Sequence, residues 1–143
     1  MKKFLMAAVV AFSAVTSSAG FACDGHEKSA AAEPRSVTVQ EVASLTKEKK
    51  ATAVDANGEK TRSKEGVIPG AILLTSSSQF DPAKELPAKK DSKLVFYCAN
   101  NHCGASHAAA NKAIEAGYTD VAVMPEGIAG WKAAGQPTNK PNS

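Results

Sequence analysis

Short runs of apolar residues alternate with polar stretches along most of this chain. Uninterrupted apolar runs bounded by turn residues are typical of strands buried on both faces of a sheet. Three runs are therefore predicted to be strands, and a fourth is predicted to be a turn that leads into a buried strand. The strands are residues 51–55, 94–97 and 121–124, and the turn with its strand is 67–74.

Helical patterns lie between these predicted strands. Thr38 and Glu41 have the spacing of a capping box, so an amphipathic helix is predicted over residues 38–45. Strands that alternate with helices predict an α/β fold, in which a mostly parallel sheet is covered on both faces. The other predicted helical segments are a turn at 80–86, an Ala-rich helix at 105–116 ended by Gly117, and a last helix with Ile128 and Trp131 as core residues.

The first 22 residues have the pattern of a cleavable secretory signal. Two lysines precede an apolar run that is too short to span a bilayer, and small residues follow up to Ala22. We expect cleavage after Ala22 and a soluble periplasmic or secreted product without a membrane span. A lipid anchor on Cys23 is the less favoured alternative, because Gly20 stands where lipoprotein signals usually have Leu.

The predicted organisation is a signal peptide at 1–22, a flexible leader at 23–35, one domain at 36–137 and a polar tail at 138–143. Removing the signal takes away two of the 17 Lys and Arg residues and none of the 14 acidic residues, which leaves a net charge of +1. Because no basic stripe interleaved with aromatics is present, nucleic acid is not a predicted partner.

The three cysteines are too few for a disulfide-built scaffold, and they allow one pair and one spare thiol. Cys23 and His26 have a spacing found in metal sites, but two ligands do not close such a site. No metal or other cofactor is predicted.

Cys98 stands where a predicted buried strand ends, before a polar loop and the start of a helix. A helix start presents unpaired backbone N–H groups, and a curling loop can add more of them around a sulfur. Such an arrangement favours the nucleophilic thiolate over the thiol. The predicted anion- or persulfide-binding loop is Ala99, Asn100, Asn101, His102, Cys103 and Gly104.

From about Ser36 to Pro137 the chain resembles rhodanese-like domains. The resemblance lies in five pieces that follow in the family's order: Val54-Asp55, Ile68-Pro69-Gly70-Ala71-Ile72, Leu94-Val95-Phe96-Tyr97-Cys98, Ala116-Gly117-Tyr118 with Val121, and Gly127-Ile128 with Trp131. It implies a five-stranded, mostly parallel sheet flanked by helices. It also implies that Cys98 is the catalytic residue, which takes sulfane sulfur as a persulfide and passes it to a thiophilic acceptor.

The chain departs from the family's pattern around Cys98. The loop up to Ser106 is two residues longer than the family's usual loop and contains neither Arg nor Lys. The family's Arg shortly after the strand-end Asp is replaced by Asn57, and Asp55 itself is expected to have a structural role. A loop without fixed positive charge is expected to hold a doubly negative donor such as thiosulfate less well.

A second thiol, Cys103, lies five residues after Cys98 within the same loop. If the loop wraps, the two Cα atoms can approach the ~4.4–6.8 Å that a disulfide needs. Cys103 is therefore either a resolving thiol or a small structural residue. His102 is a weaker candidate for supporting the thiolate, with simple solvation as the alternative.

The favoured function is sulfane-sulfur transfer or carriage through a Cys98 persulfide, with a small sulfur donor (thiosulfate or a low-molecular-weight persulfide) and a thiol acceptor as partners. Two alternatives stay open. One is a thiol–disulfide redox protein that uses Cys98 and Cys103, and the other is a non-catalytic module that binds anions or a protein partner.

Overall fold

The computed structural model describes residues 33–141. The predicted signal peptide, Cys23 and His26 lie outside this range. The described elements are β1 (Arg35–Ser36), α1 (Val39–Lys47), β2 (Thr52–Asp55), α2 (Glu59–Glu65), β3 (Ile72–Leu73), α3 (Pro82–Glu85), β4 (Leu94–Tyr97), α4 (Ala105–Glu115), β5 (Val121–Met124) and α5 (Gly127–Ala133).

The five strands form one sheet in the order β1-β5-β4-β2-β3, and every neighbouring pair is parallel. This confirms the predicted five-stranded α/β sheet. Because all five strands run the same way, the residues that follow them meet at one edge of the sheet. Asp55, Tyr97 and Met124 stand side by side in the pairing register at that edge, which places Cys98 at its centre.

Helices cover both faces of the sheet, as predicted. Successive strand residues point to opposite faces, so the central strands supply two separate cores. Val54, Phe96 and Val123 pack beneath α4, together with Phe80 and Leu86 from the segment around α3. The second core joins α1 and α5 to the other face, and it includes Val42, Ala53, Val95, Tyr97, Met124, Ile128 and Trp131.

Most predicted elements are found within one or two residues of their predicted bounds. Thr38 is the N-cap of α1, and its Oγ1 accepts the Glu41 N–H at 3.3 Å, as the capping box predicts. The segment 67–74 differs, because only Ile72–Leu73 join the sheet, and they are half-buried at its edge. A strand at the edge of the sheet has a neighbour on one side only, so its side chains are less buried than those of a central strand.

Two elements of the structure were not predicted from the sequence. The first is α2, whose seven residues contain no buried side chain, so apolar periodicity could not reveal it. The second is β1, a pair of exposed residues that begins at Arg35, within the predicted leader. At the other end Asn139, in the predicted tail, exchanges two backbone hydrogen bonds of 2.9 Å with Val67.

Helix length is also informative about the membrane. Within residues 33–141 no helix is long and apolar enough to cross a bilayer. The longest, α4, has 11 residues.

The start of α5 packs directly against the backbone that follows β4. The Ile128 N–H donates to the Cys98 carbonyl at 2.8 Å, and the Ala129 N–H donates to the Ala99 carbonyl at 3.0 Å. Gly127 has φ +61°, and a Cβ at this position would lie 2.5 Å from the Cys98 carbonyl oxygen. Only glycine combines this backbone conformation with so close an approach.

We predict that Gly127→Ala destabilises the protein more than Gly135→Ala does. Gly135 also has a positive φ, +71°, but a Cβ there would meet no atom within 4 Å. The control change should cost about 1–2 kcal/mol of backbone strain. Gly127→Ala should add an overpacking cost of roughly 1–3 kcal/mol. Urea unfolding followed by circular dichroism measures both, and equal losses of stability would contradict the close packing.

Candidate functional site

Cys98 follows β4 at the centre of the sheet edge and is 1% exposed. Its Sγ lies 2.9 Å from the Cys103 carbonyl oxygen and 3.3 Å from Ser106 Oγ. Ser106 belongs to the first turn of α4 and is also buried. The structure therefore brings together the end of β4, the loop and the start of α4, as the sequence predicted.

The loop after Cys98 is folded by Asn100. The Asn100 Oδ1 accepts the His102 N–H at 3.0 Å, and the Asn100 carbonyl accepts the Cys103 N–H at 3.1 Å. These two bonds turn the loop back on itself, so that Cys103 returns to Cys98. Both thiols are free in this arrangement.

The surroundings of the Cys98 sulfur differ from the expected ring of N–H groups. Burial raises the pKa of the Cys98 thiol above its ordinary value, as does Cys103, and the hydroxyl and backbone N–H of Ser106 offset this only in part. The Cys103 carbonyl can accept a hydrogen bond from the thiol but cannot stabilise a thiolate. The geometry therefore keeps the proton on Cys98 until the loop or a bound molecule changes these contacts.

Cys103 has the opposite tendency. Burial raises its pKa, but hydrogen bonds from the Cys98 thiol and from the backbone N–H groups of Ala105 and Ala99 outweigh that effect and lower the pKa below its ordinary value. Cys103 is also partly exposed, whereas Cys98 is buried. Of the two sulfurs, Cys103 is the one more readily present as thiolate.

The remaining loop residues are at the surface. Asn101 and His102 are exposed, and within residues 33–141 the His102 ring makes no hydrogen bond. Gly104 is the N-cap of α4 and offers no side-chain cap. The structure therefore places His102 beside the site without directing its ring at either sulfur, which agrees with the solvated alternative.

A buried ion pair supports the sheet edge next to Cys98. Asp55 is fully buried, and its Oδ1 accepts the Asn57 N–H at 2.7 Å and lies 3.3 Å from Arg62 Nε. Arg62 Nη2 donates to the carbonyls of Asp55 at 2.9 Å and Leu74 at 2.8 Å. Asp55 is structural, as expected, but its cationic partner comes from α2, which sequence reasoning missed.

Tyr97 ties a second segment to this edge. Its hydroxyl oxygen accepts the Ile68 N–H at 3.0 Å, which holds the Ile68-Pro69-Gly70-Ala71 segment against β4. Burial, followed by the nearby charge of Asp55, raises the pKa of Tyr97 far above its ordinary value. The phenol therefore stays protonated, and its role here is structural.

A cavity of about 400 Å³ opens beside the loop. Its walls come from α2, from the loop and from the start of α5: Lys60, Thr61, Lys64, Glu65, Ala99, Asn100, Ile128 and Ala129. The two lysines are exposed. The positive charge that is absent from the loop sequence is thus present on the neighbouring helix, where the sequence analysis did not expect it.

Comparisons with known proteins agree with this geometry. Residues 38–134 match the family model described as the rhodanese-like domain. A search of curated protein sequences found no match.

Several solved structures are similar. One is a Rhodopseudomonas palustris protein of unknown function described as a possible tyrosine phosphatase, with 28% identity, a TM-score of 0.60, and coverage of 74% of this chain and 85% of that one. The human single-domain sulfurtransferase has 25% identity, a TM-score of 0.56, and coverage of 68% and 95%. A rhodanese-like domain from Anabaena sp. has 22% identity, a TM-score of 0.62, and coverage of 74% and 79%; this last likeness concerns the fold alone.

We predict that Arg62→Met destabilises the fold by about 3–5 kcal/mol, because the buried Asp55 carboxylate then lacks its cationic partner. The matched control is Lys60→Met on the same helix, an exposed position where the change should stay within ~0.5 kcal/mol. Urea unfolding of both variants measures the difference. If Arg62→Met were as mild as the control, the ion pair would not support the sheet edge.

Proposed function

The chain belongs to the rhodanese-like domain family, and on that premise we propose that it carries sulfane sulfur as a persulfide on Cys98. A small donor supplies the sulfur and a thiol acceptor takes it away. The observation that carries this proposal is the position of the Cys98 sulfur, buried at the centre of the sheet edge and 3.3 Å from the Ser106 hydroxyl. General sulfur transfer is supported by the family match and by the sulfurtransferase among the similar structures.

The chemistry needs two displacements at sulfur. The Cys98 sulfur, as thiolate, attacks the sulfane sulfur of the donor, and the donor leaves as sulfite from thiosulfate or as a thiolate from a persulfide. An acceptor thiolate then attacks the outer sulfur of the Cys98 persulfide, and Cys98 leaves as thiolate. Neither step needs an external oxidant or reductant. The Ser106 hydroxyl, 3.3 Å from the Cys98 sulfur, is placed to donate a hydrogen bond to the Cys98 thiolate.

The charges near the site affect which class of sulfur donor the site can bind. The loop has no fixed cation, while Lys60, Lys64 and Glu65 line the adjoining cavity. Glu65 lies 3.5 Å from Lys64 and 2.8 Å from Lys132, which leaves Lys60 as the lining lysine without this acidic neighbour. Exposed lysines attract anions by long-range electrostatics, but they do not grip an oxyanion in a fixed geometry as Arg does. This combination favours small anionic donors held weakly, either thiosulfate or a low-molecular-weight persulfide.

A second candidate function is thiol–disulfide exchange between Cys98 and Cys103. It is favoured by one observation, the return of the loop that brings Cys103 within hydrogen-bonding reach of Cys98. In that case the pair would cycle between dithiol and disulfide with a redox partner, and no sulfur atom would be added. The third reading, a non-catalytic binding module, requires neither thiol to react.

We also propose that the protein works in the periplasm, because residues 1–22 have the pattern of a secretory signal. Expression of the full chain in a bacterial host should give periplasmic protein that begins at Cys23, as mass spectrometry of the fractions would show. Full-length protein retained in the cytoplasm would contradict export, and a diacylated Cys23 in the membrane fraction would replace the soluble form by an anchored one.

The persulfide is tested by intact-mass analysis after incubation with thiosulfate or glutathione persulfide. The wild-type protein should gain one sulfur atom, which fragmentation should locate on Cys98. Neither Cys98→Ser nor Cys98→Ala should carry sulfur at residue 98, and transfer to an acceptor thiol should fall in both. Loss of two hydrogens, with a Cys98–Cys103 crosslink and no added sulfur, would favour the redox function. Donor binding without any change in mass, equal in all variants, would favour the binding module.

A further inference from the structure

The two sulfurs of the site differ in their access to solvent. Cys98 is 1% exposed and lies beneath the loop, whereas Cys103 is partly exposed on it. The residues on either side of Cys103, namely His102 and Gly104, are exposed as well. A donor arriving from solvent therefore meets Cys103 before it meets Cys98.

The two sulfurs also differ in what faces them. The Cys98 thiol has one proton, which it donates either to the Cys103 carbonyl at 2.9 Å or to the Cys103 sulfur, so an attack by Cys98 must first give up this contact and its proton. Burial raises the pKa of Cys103, and the contact with the Cys98 thiol together with the N–H groups of Ala105 and Ala99 lowers it by more. Solvent access and the protonation of the two sulfurs thus both indicate Cys103 as the first nucleophile.

We propose that Cys103 takes the sulfane sulfur from the donor first and then passes it to Cys98, which is the final carrier. This inference rests on the proposed function and adds a relay within the same loop. In the first step the Cys103 thiolate attacks the donor, forms an S–S bond to the sulfane sulfur, and releases sulfite or a thiolate. In the second step the Cys98 sulfur attacks the outer sulfur of the Cys103 persulfide, and the Cys103 thiolate leaves.

The relay conserves atoms and electrons. Cys103–S–SH and Cys98–SH become Cys103–SH and Cys98–S–SH, with one proton moving from Cys98 to Cys103 and no net oxidation. The direction follows from leaving-group ability, because the thiol with the lower pKa leaves more readily in sulfur exchange. The loop contact between the two residues makes the second step intramolecular, which favours it over attack by an acceptor thiol from solution.

The relay is tested by rapid-quench loading of the full chain with glutathione persulfide, using alkylation and fragmentation to assign the sulfur among the three cysteines. In Cys98→Ser the relay cannot finish, so persulfide should accumulate on Cys103. Cys98→Ala controls for any effect on folding of burying a serine hydroxyl at this position. In Cys103→Ser, Cys98 should load roughly tenfold more slowly than in wild type, because its protonated, buried thiol must react directly. His107→Ala, an exposed change in the first turn of α4, is the matched control and should load at the wild-type rate.

The outcomes separate the relay from the proposed function. Wild-type loading of Cys98 in Cys103→Ser, or no persulfide on Cys103 in both Cys98 variants, would overturn the relay while Cys98 remains the carrier. Release of hydrogen sulfide with formation of a Cys98–Cys103 disulfide would overturn it in a different way, since Cys98 would then attack the inner sulfur. Failure of wild type to gain any sulfur would remove the proposed function, and the relay with it.

Discussion

The position of Cys98 depends on the main-chain contact between the end of β4 and the start of α5. Two backbone N–H groups of α5, from Ile128 and Ala129, bind the carbonyls of Cys98 and Ala99, and Gly127 leaves no side chain between the two backbones. Backbone bonds of this kind do not vary with side-chain rotamer. They hold the base of the loop while its outer part, around Asn101 and His102, is exposed to solvent. The Cys98 sulfur is therefore held in place at the base of a loop whose outer part faces solvent, an arrangement that suits the proposed carriage of sulfur.

The sheet edge that carries this contact is itself held from the other side. Arg62 binds the Asp55 carboxylate and two carbonyls, and the Tyr97 hydroxyl oxygen accepts the Ile68 N–H. An unpaired charge buried there would cost several kcal/mol, so Arg62 offsets the cost of burying the Asp55 carboxylate. These contacts hold β2, β4 and the Ile68 segment together beside Cys98.

The elements that bury apolar side chains were predicted from the sequence, because burial gives them a recognisable apolar pattern. Two elements that bury no side chain were not predicted. Continuous apolar runs identified β4 and β5 to the residue, and the Ala-rich segment identified α4. Neither α2 nor β1 buries a side chain, so neither has a pattern to detect. The Asp55–Arg62 pair was missed for the same reason, because it depends on α2. The site residues were predicted to lie together, but which groups face each sulfur depends on how the loop turns at Asn100, and the sequence pattern does not show this.

The longer loop exchanges one kind of chemistry for another. A fixed Arg within it would hold a doubly charged oxyanion in place, and this chain has a second thiol in the loop instead. A thiol does not hold an oxyanion by charge, but it can bind sulfur covalently and release it again. If Cys103 acts as proposed, selection of the donor depends less on charge than on how readily its sulfane sulfur is attacked. Lys60 and Lys64 on α2 line the cavity beside the loop, so under the proposed function anions are attracted by one element of the fold and sulfur is bound covalently by another.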